Sequence, residues 1–156
     1  MTLRLVCDVS GSMRDDGKPF AMRTVVMAVA QWVRFGYGEV EIRLCGWGSE
    51  VRDFFEWSAK DEFPAELLTF DGTSDWKVLI QSLEEQPDGK VLLFTDGFWP
   101  HRSEKLLKQW RECRPLGALR IIKIGADANP RLSGPEVFTA DDFFAALDGW
   151  LEGSPA

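Results

Sequence analysis

The stretch over residues 3–13 constrains this chain most, because an apolar run stops there abruptly at a carboxylate, Asp8. The run predicts a buried β-strand, and two hydroxyls, Ser10 and Ser12, follow at alternate positions with Gly11 between them. Gly11 allows a sharp backbone turn without a Cβ clash, so the three oxygen-bearing side chains can point at a common centre. Carboxylate and hydroxyl oxygens suit a hard cation such as Mg²⁺ rather than zinc.

Two later segments supply further oxygen donors. Residues 71–75 read Asp-Gly-Thr-Ser-Asp, and residues 91–97 read Val-Leu-Leu-Phe-Thr-Asp-Gly, an apolar strand followed by a carboxylate. With residues 8–13, Asp-Val-Ser-Gly-Ser-Met, these segments resemble in content and order the three signatures of von Willebrand factor A (vWA) domains. The resemblance spans nearly the whole chain. It implies a metal-ion-dependent adhesion site whose residues are Asp8, Ser10, Ser12, Thr73 and Asp96.

The resemblance also implies a function, which is recognition rather than catalysis. Hydroxyls would contact Mg²⁺ or Mn²⁺ directly while the aspartates act largely through water, so the ion stays electron-poor and seeks an Asp or Glu from a partner protein. Asp71 and Asp75 would either orient water or remain solvated. Intracellular bacterial-type members of the family often resemble adaptors for AAA+ ATPases or for other multi-protein assemblies. We therefore expect a cytoplasmic protein-interaction module and no enzyme activity.

Three alternatives remain open from the sequence. Residues 8–12 could be a plain strand-to-helix turn, and Thr73 or Ser74 could serve only as a helix cap. The chain could be a Mg²⁺-dependent phosphohydrolase of haloacid-dehalogenase type, although Ser10 stands where that mechanism needs a second Asp and no phosphate-binding lysine is evident. It could also be a degenerate scaffold that binds no metal, which the intact set of five residues argues against.

Size and composition narrow the possibilities further. At 156 residues the chain predicts a single domain over residues 1–152 with a frayed tail over 153–156. A formal net charge of −7 argues against nucleic acid as a partner. The apolar run near the start is too short for a signal peptide or a membrane span. The three cysteines are odd in number and far apart in the sequence, which argues against a disulfide. A single histidine argues against a histidine-rich metal site.

Hydrophobic periodicity predicts alternating strands and helices. The predicted strands cover 3–7, 39–45, 51–57, 90–95, 118–124 and 136–138, with 39–45 and 51–57 forming a hairpin around a tight connection at 46–49. Helices are predicted over 20–35 and 74–86, after a cap at Ser103, and after a capping box formed by Thr139 and Asp142. A helical turn is predicted at 65–68 and a chain turn at 87–89. This order predicts an α/β fold, a Rossmann-like open and mostly parallel sheet with one antiparallel edge strand and helices on both faces.

Large aromatic side chains follow or precede several of these strand ends. Aromatic residues at a rim suit a protein-binding surface, so Trp47, Phe98 and Trp99 are predicted to contact the partner. Trp76 shares the core spacing of its helix and is predicted to be buried. In open α/β sheets ligands bind beyond the carboxyl ends of the strands, which is where Asp8 and Asp96 lie.

Overall fold

The computed structural model describes residues 1–85 and 89–152. The strands are β1 (Thr2–Asp8), β2 (Glu41–Trp47), β3 (Val51–Asp53), β4 (Lys90–Thr95), β5 (Leu119–Lys123) and β6 (Val137–Thr139). The α-helices are α1 (Lys18–Gly36), α2 (Trp76–Glu84), α3 (His101–Glu112) and α4 (Phe143–Leu147). Short 3₁₀ helices cover Gly11–Met13, Ala65–Leu68 and Ala140–Asp142, the second of them where a helical turn was predicted.

The strands form one six-stranded sheet in the order β3-β2-β1-β4-β5-β6. β1 lies at the centre, where Leu5 is in parallel register with Leu44 of β2 and with Leu92 of β4. β4, β5 and β6 continue the parallel pairing, whereas β3 runs antiparallel to β2. Apolar side chains occupy both faces of the central strands because helices cover both faces. The predicted Rossmann-like fold class is confirmed.

Each face of the sheet has its own core. α1 and α4 pack on one face, in a cluster that includes Leu5, Val26, Phe94 and Leu147. α2 and α3 pack on the other face, in a cluster that includes Val6, Leu79, Leu93 and Leu107. The sheet is therefore held rigidly between two helical layers, and its strand ends provide a fixed platform for loops.

Two strand boundaries differ from the prediction. β2 continues through Trp47, where a turn was expected, because this side chain is fully buried against α2 and cannot leave the core. β3 ends at Asp53 instead of residue 57, since the chain turns back at Phe54, whose carbonyl accepts a hydrogen bond from the Trp57 amide at 3.1 Å. The predicted antiparallel hairpin is nevertheless present.

The helix ends were also predicted only in part. α3 begins at His101, and Ser103 is buried within its first turn instead of capping it. Thr139 makes no side-chain capping bond, and α4 stops at Leu147, with Trp150 buried beyond its end. α2 begins at Trp76, two residues later than expected. The predicted end of that helix at Gln86, the turn at Pro87 and Asp88, and the tail over 153–156 lie outside the described residues.

The sheet changes direction of winding at β1, because β2 follows on one side of it and β4 on the other. Asp8 ends β1 and Asp96 directly follows β4, so both carboxylates lie at this switch point. In the part of the chain that the structure describes, no helix is both long and apolar enough to cross a bilayer.

Candidate functional site

Asp8 is fully buried and, among the described residues, receives three hydrogen bonds, all from neutral groups. Its Oδ1 accepts from the Ser10 amide at 2.9 Å and from Ser74 Oγ at 2.9 Å, and its Oδ2 accepts from Thr95 Oγ1 at 2.6 Å. Burial raises the pKa of the Asp8 carboxyl and the nearby charge of Asp96 adds to this, although the Thr95 and Ser10 hydrogen bonds oppose it. Within residues 1–85 and 89–152 no cationic side chain pairs with Asp8. A buried carboxylate in this setting is stabilised by a cation.

Ser10 and Ser12 bring their hydroxyls together beside this carboxylate. The two Oγ atoms lie 3.3 Å apart, with Ser10 buried and Ser12 exposed to solvent. Magnesium–oxygen distances of about 2.1 Å in an octahedron place neighbouring ligands about 3 Å apart. The predicted pair of hydroxyl ligands therefore has a spacing that a hard cation can use.

Ser74, and not the predicted Thr73, supplies the third hydroxyl near Asp8. Ser74 is buried and bonds to Asp8, whereas the Thr73 side chain is exposed and, among the described residues, has no hydrogen bond to Asp8. A Ser74 hydroxyl that gives its proton to Asp8 keeps its lone pairs for a cation. The geometry favours Ser74 over Thr73 as the ligand from this loop.

Backbone hydrogen bonds explain how Ser74 reaches the site. The Gly11 amide donates to the Gly72 carbonyl at 3.0 Å, and the Asp71 amide donates to the Val9 carbonyl at 3.0 Å, which fastens the two loops together. Asp75 then caps α2, since its carboxylate accepts from the Lys77 amide at 2.9 Å. Asp71 accepts from the Gly72 amide. Both flanking aspartates thus accept local backbone hydrogen bonds, and their predicted role in orienting water stays a prediction.

Asp96 is also fully buried, but it differs from Asp8 in having a cationic partner. Its Oδ1 accepts from the Phe98 amide at 3.1 Å, and its Oδ2 lies 3.2 Å from Lys18 Nζ. Lys18 was not singled out in the sequence. Burial alone lowers the pKa of Lys18, yet its hydrogen bonds to Asp96 and Asp127 outweigh this and raise it. The only signal was its position beside Pro19 at the start of a helix.

The donor set fits a hard divalent cation. Across the described ranges there is no group of three or more His, Cys, Asp or Glu side chains that could hold a metal. The site offers hydroxyls instead, from Ser10, Ser12 and Ser74, backed by two carboxylates. Oxygen donors of this kind are the ligands that Mg²⁺ and Mn²⁺ prefer.

Of the three aromatic residues predicted for the rim, one is buried, one is half-buried and one is exposed. Trp47 has no exposed surface, so its prediction as a partner-contacting residue is wrong. It packs edge-on against Trp76 with ring centroids 5.1 Å apart, and Trp76 packs against Trp99 at 5.4 Å. Trp76 is buried, as predicted, and Trp99 is half-buried. Phe98, 44% exposed, keeps the exposure expected of a rim residue.

Comparisons with known proteins identify the fold. No protein-family model and no curated protein matches the chain. Among solved structures, the chain is similar to manganese-loaded TRAP of Plasmodium vivax (15% identity, TM-score 0.62, 94% of this chain and 70% of that one) and to the vWA domain of SpRpn10 (14%, 0.62, 88% and 85%). It is also similar to mussel-byssus proximal thread matrix protein 1 with a zinc-occupied MIDAS motif (16%, 0.52, 92% and 42%). These matches confirm the predicted vWA fold.

Proposed function

We propose that this chain, which has the fold of a vWA domain, is a metal-dependent protein-interaction module. Ser10, Ser12 and Ser74 would hold a divalent cation, with Asp8 and Asp96 behind them. A partner protein would present an Asp or Glu side chain to this site. The observation that carries the proposal is the fully buried Asp8 carboxylate at the switch point of the sheet, which has no cationic side-chain partner among the described residues. It accepts a hydrogen bond from the Ser74 hydroxyl, and the neighbouring hydroxyls of Ser10 and Ser12 follow it in the same loop.

Mg²⁺ or Mn²⁺ is the proposed ion because all the candidate donors are oxygens. Two structurally similar proteins support a divalent cation in this fold, since one is described as manganese-loaded and the other as having zinc in its MIDAS motif. When bound, the ion would supply a positive point that attracts a carboxylate. The chain's own residues position that point, and no bond in the partner is broken.

The phosphohydrolase alternative is disfavoured by the environment of Asp8. A nucleophilic aspartate needs a free oxygen facing its substrate, but both oxygens of Asp8 accept hydrogen bonds and the residue has no exposed surface. The position two residues later is Ser10, which cannot serve as a carboxylic general acid. That mechanism also needs a phosphate-binding lysine, for which the sequence showed no obvious candidate. Lys18 lies at the site, but it is buried and ion-paired to Asp96.

The partner class follows from the same site. Phe98 borders it and offers an exposed aromatic ring, which suits contact with a protein surface. From the sequence resemblance, an AAA+ ATPase or another component of a multi-protein assembly is the proposed partner, in the cytoplasm. Neither nucleic acid nor a membrane is proposed, because the chain carries a net charge of −7.

Metal-linked stability tests the ion-binding half of the proposal. Saturating Mg²⁺ or Mn²⁺ should raise the free energy of unfolding by about 1–3 kcal/mol relative to chelator, because only the folded chain assembles the site. Asp8→Ala should remove this increment. Ser12→Ala is the milder variant, since Ser12 is exposed and its loss leaves the core intact. Ser133→Ala, on another exposed serine, is the matched control and should retain the full increment.

A pull-down tests the partner half. Wild-type protein should retain its partner in Mg²⁺ and release it in chelator, and Ser12→Ala should bind less in Mg²⁺ than Ser133→Ala does. An unfolding curve that responds neither to metal nor to chelator contradicts the ion site. Partner retention that is the same with chelator contradicts recognition through the ion.

A further inference from the structure

The ammonium group of Lys18 lies inside the proposed ion site and is unused by the proposed function. Lys18 is the first residue of α1, and it is only 3% exposed. Its Nζ lies 3.1 Å from the Ser12 carbonyl oxygen, 3.2 Å from Asp96 Oδ2 and 3.2 Å from Asp127 Oδ1. An ammonium has three N–H donors, and these three acceptors satisfy all of them.

The fold makes room for this side chain at Gly125. The φ angle of Gly125 is +100°, and a Cβ at this position would lie 2.8 Å from Lys18 Cε and 3.0 Å from Asp127 Oδ1. A side chain at this position would be strained by the backbone conformation and would require the lysine stem to shift. Gly125 thus leaves the space through which the Lys18 side chain reaches Asp96.

Lys18 makes the two buried carboxylates, Asp8 and Asp96, electrostatically different. Asp96 is paired with the ammonium, whereas Asp8 receives hydrogen bonds from neutral groups alone in the part of the chain that the structure describes. Burying a lysine costs free energy unless a carboxylate accompanies it. Because each charge of the Lys18–Asp96 pair compensates the other, the pair needs no added ion for charge balance. An added cation would gain mainly from Asp8.

We infer that Lys18 is a resident cation that weakens the binding of the divalent ion and keeps the bound ion electron-poor. The ammonium occupies Asp96 Oδ2, which prevents this carboxylate from serving as a direct ligand through that oxygen. Its positive charge would also repel a divalent cation bound at the same strand ends. The bound ion therefore keeps more of its charge for a carboxylate from the partner. This inference rests on the proposed function.

Lys18→Met tests the inference, because methionine preserves an unbranched apolar stem and removes the charge. The dissociation constants for Mg²⁺ and Mn²⁺ are measured by titration calorimetry on the full chain. We expect Lys18→Met to bind both ions roughly tenfold or more tightly than the wild type. Lys105→Met is the matched control: Lys105 is an exposed residue of α3, its loss changes the net charge equally, and the affinity should stay as in the wild type.

The outcomes separate the two proposals. Wild-type binding together with unchanged or weaker binding by Lys18→Met overturns the role of Lys18 but leaves the ion site standing. Failure of both wild type and Lys18→Met to bind overturns the proposed function, and the role of Lys18 with it. If Lys18→Met does not fold without metal, Lys18→Gln, which keeps a hydrogen-bond donor, is judged by the same affinity criterion.

Discussion

Ser74→Ala provides the sharpest test of the site, because its neighbour Thr73 is a built-in control. Ser74 is 1% exposed and its hydroxyl donates to Asp8 Oδ1 at 2.9 Å. Hydrogen bonds to charged groups contribute about 1.5–3 kcal/mol, so removing this one should lower the free energy of unfolding in chelator by about that amount. Thr73 is exposed, and Thr73→Ala should change the free energy by less than about 0.5 kcal/mol.

The increase in the free energy of unfolding on metal binding provides a second, independent measurement. At a Mg²⁺ concentration one hundred times the dissociation constant, linkage stabilises the wild type by about 2.7 kcal/mol. Loss of one hydroxyl ligand that weakens affinity tenfold would reduce this increment at the same concentration to about 1.4 kcal/mol. Thr73→Ala should keep the full increment.

Urea denaturation of the three proteins, with chelator and with Mg²⁺, gives both quantities from the shift in midpoint at constant slope. The reasoning is refuted if Thr73→Ala loses the metal increment while Ser74→Ala retains it. Equal loss in both variants would mean that the loop moves when metal binds and that both hydroxyls are used.

Two further predictions concern cysteine and aromatic residues. Burial raises the pKa of the Cys45 thiol to about 12 and that of Cys7 well above its usual value, so both thiols stay protonated at pH 8. A thiol reagent should therefore label only the exposed Cys113 in the native protein. Mass spectrometry that finds label on Cys45 before unfolding would contradict this prediction. Trp99→Ala should destabilise the domain by about 1–3 kcal/mol, because the ring packs against Trp76, whereas Phe98→Ala should weaken partner capture with little change in melting temperature.

The sequence predicted the sheet and the position of the site because both depend on one-dimensional patterns. An apolar run that ends in a carboxylate specifies a buried strand and its carboxyl end without further information, and this holds for both Asp8 and Asp96. The order of strands and helices then indicates a parallel sheet with a switch point between them. Ser10 and Ser12 follow Asp8 so closely that they had to share its loop.

The resemblance pointed to Thr73, and no sequence pattern indicated that Ser74 is the residue that faces Asp8. Adjacent residues in a loop point in different directions, and only the cap of the following helix decides which side chain turns inward. Here Asp75 caps α2, and the preceding residue faces Asp8. Lys18 was missed because a lysine is usually solvated, and the sequence gives no sign of the space beside Gly125 or of the ion pair with Asp96.

Trp47, at the end of β2, connects the hydrophobic core to the loop that contains Ser74. Trp47 was expected at the rim because it follows an alternating strand, but its ring lies in the core and its Nε1 donates to the Asp75 carbonyl at 2.8 Å. The Asp75 amide in turn donates to the Gly48 carbonyl at 3.0 Å. The end of β2 thus holds the residue next to Ser74 from two sides. Apolar packing between the sheet and α2 therefore positions the hydroxyl that faces Asp8, which explains why a fully buried tryptophan lies beside the polar candidate site.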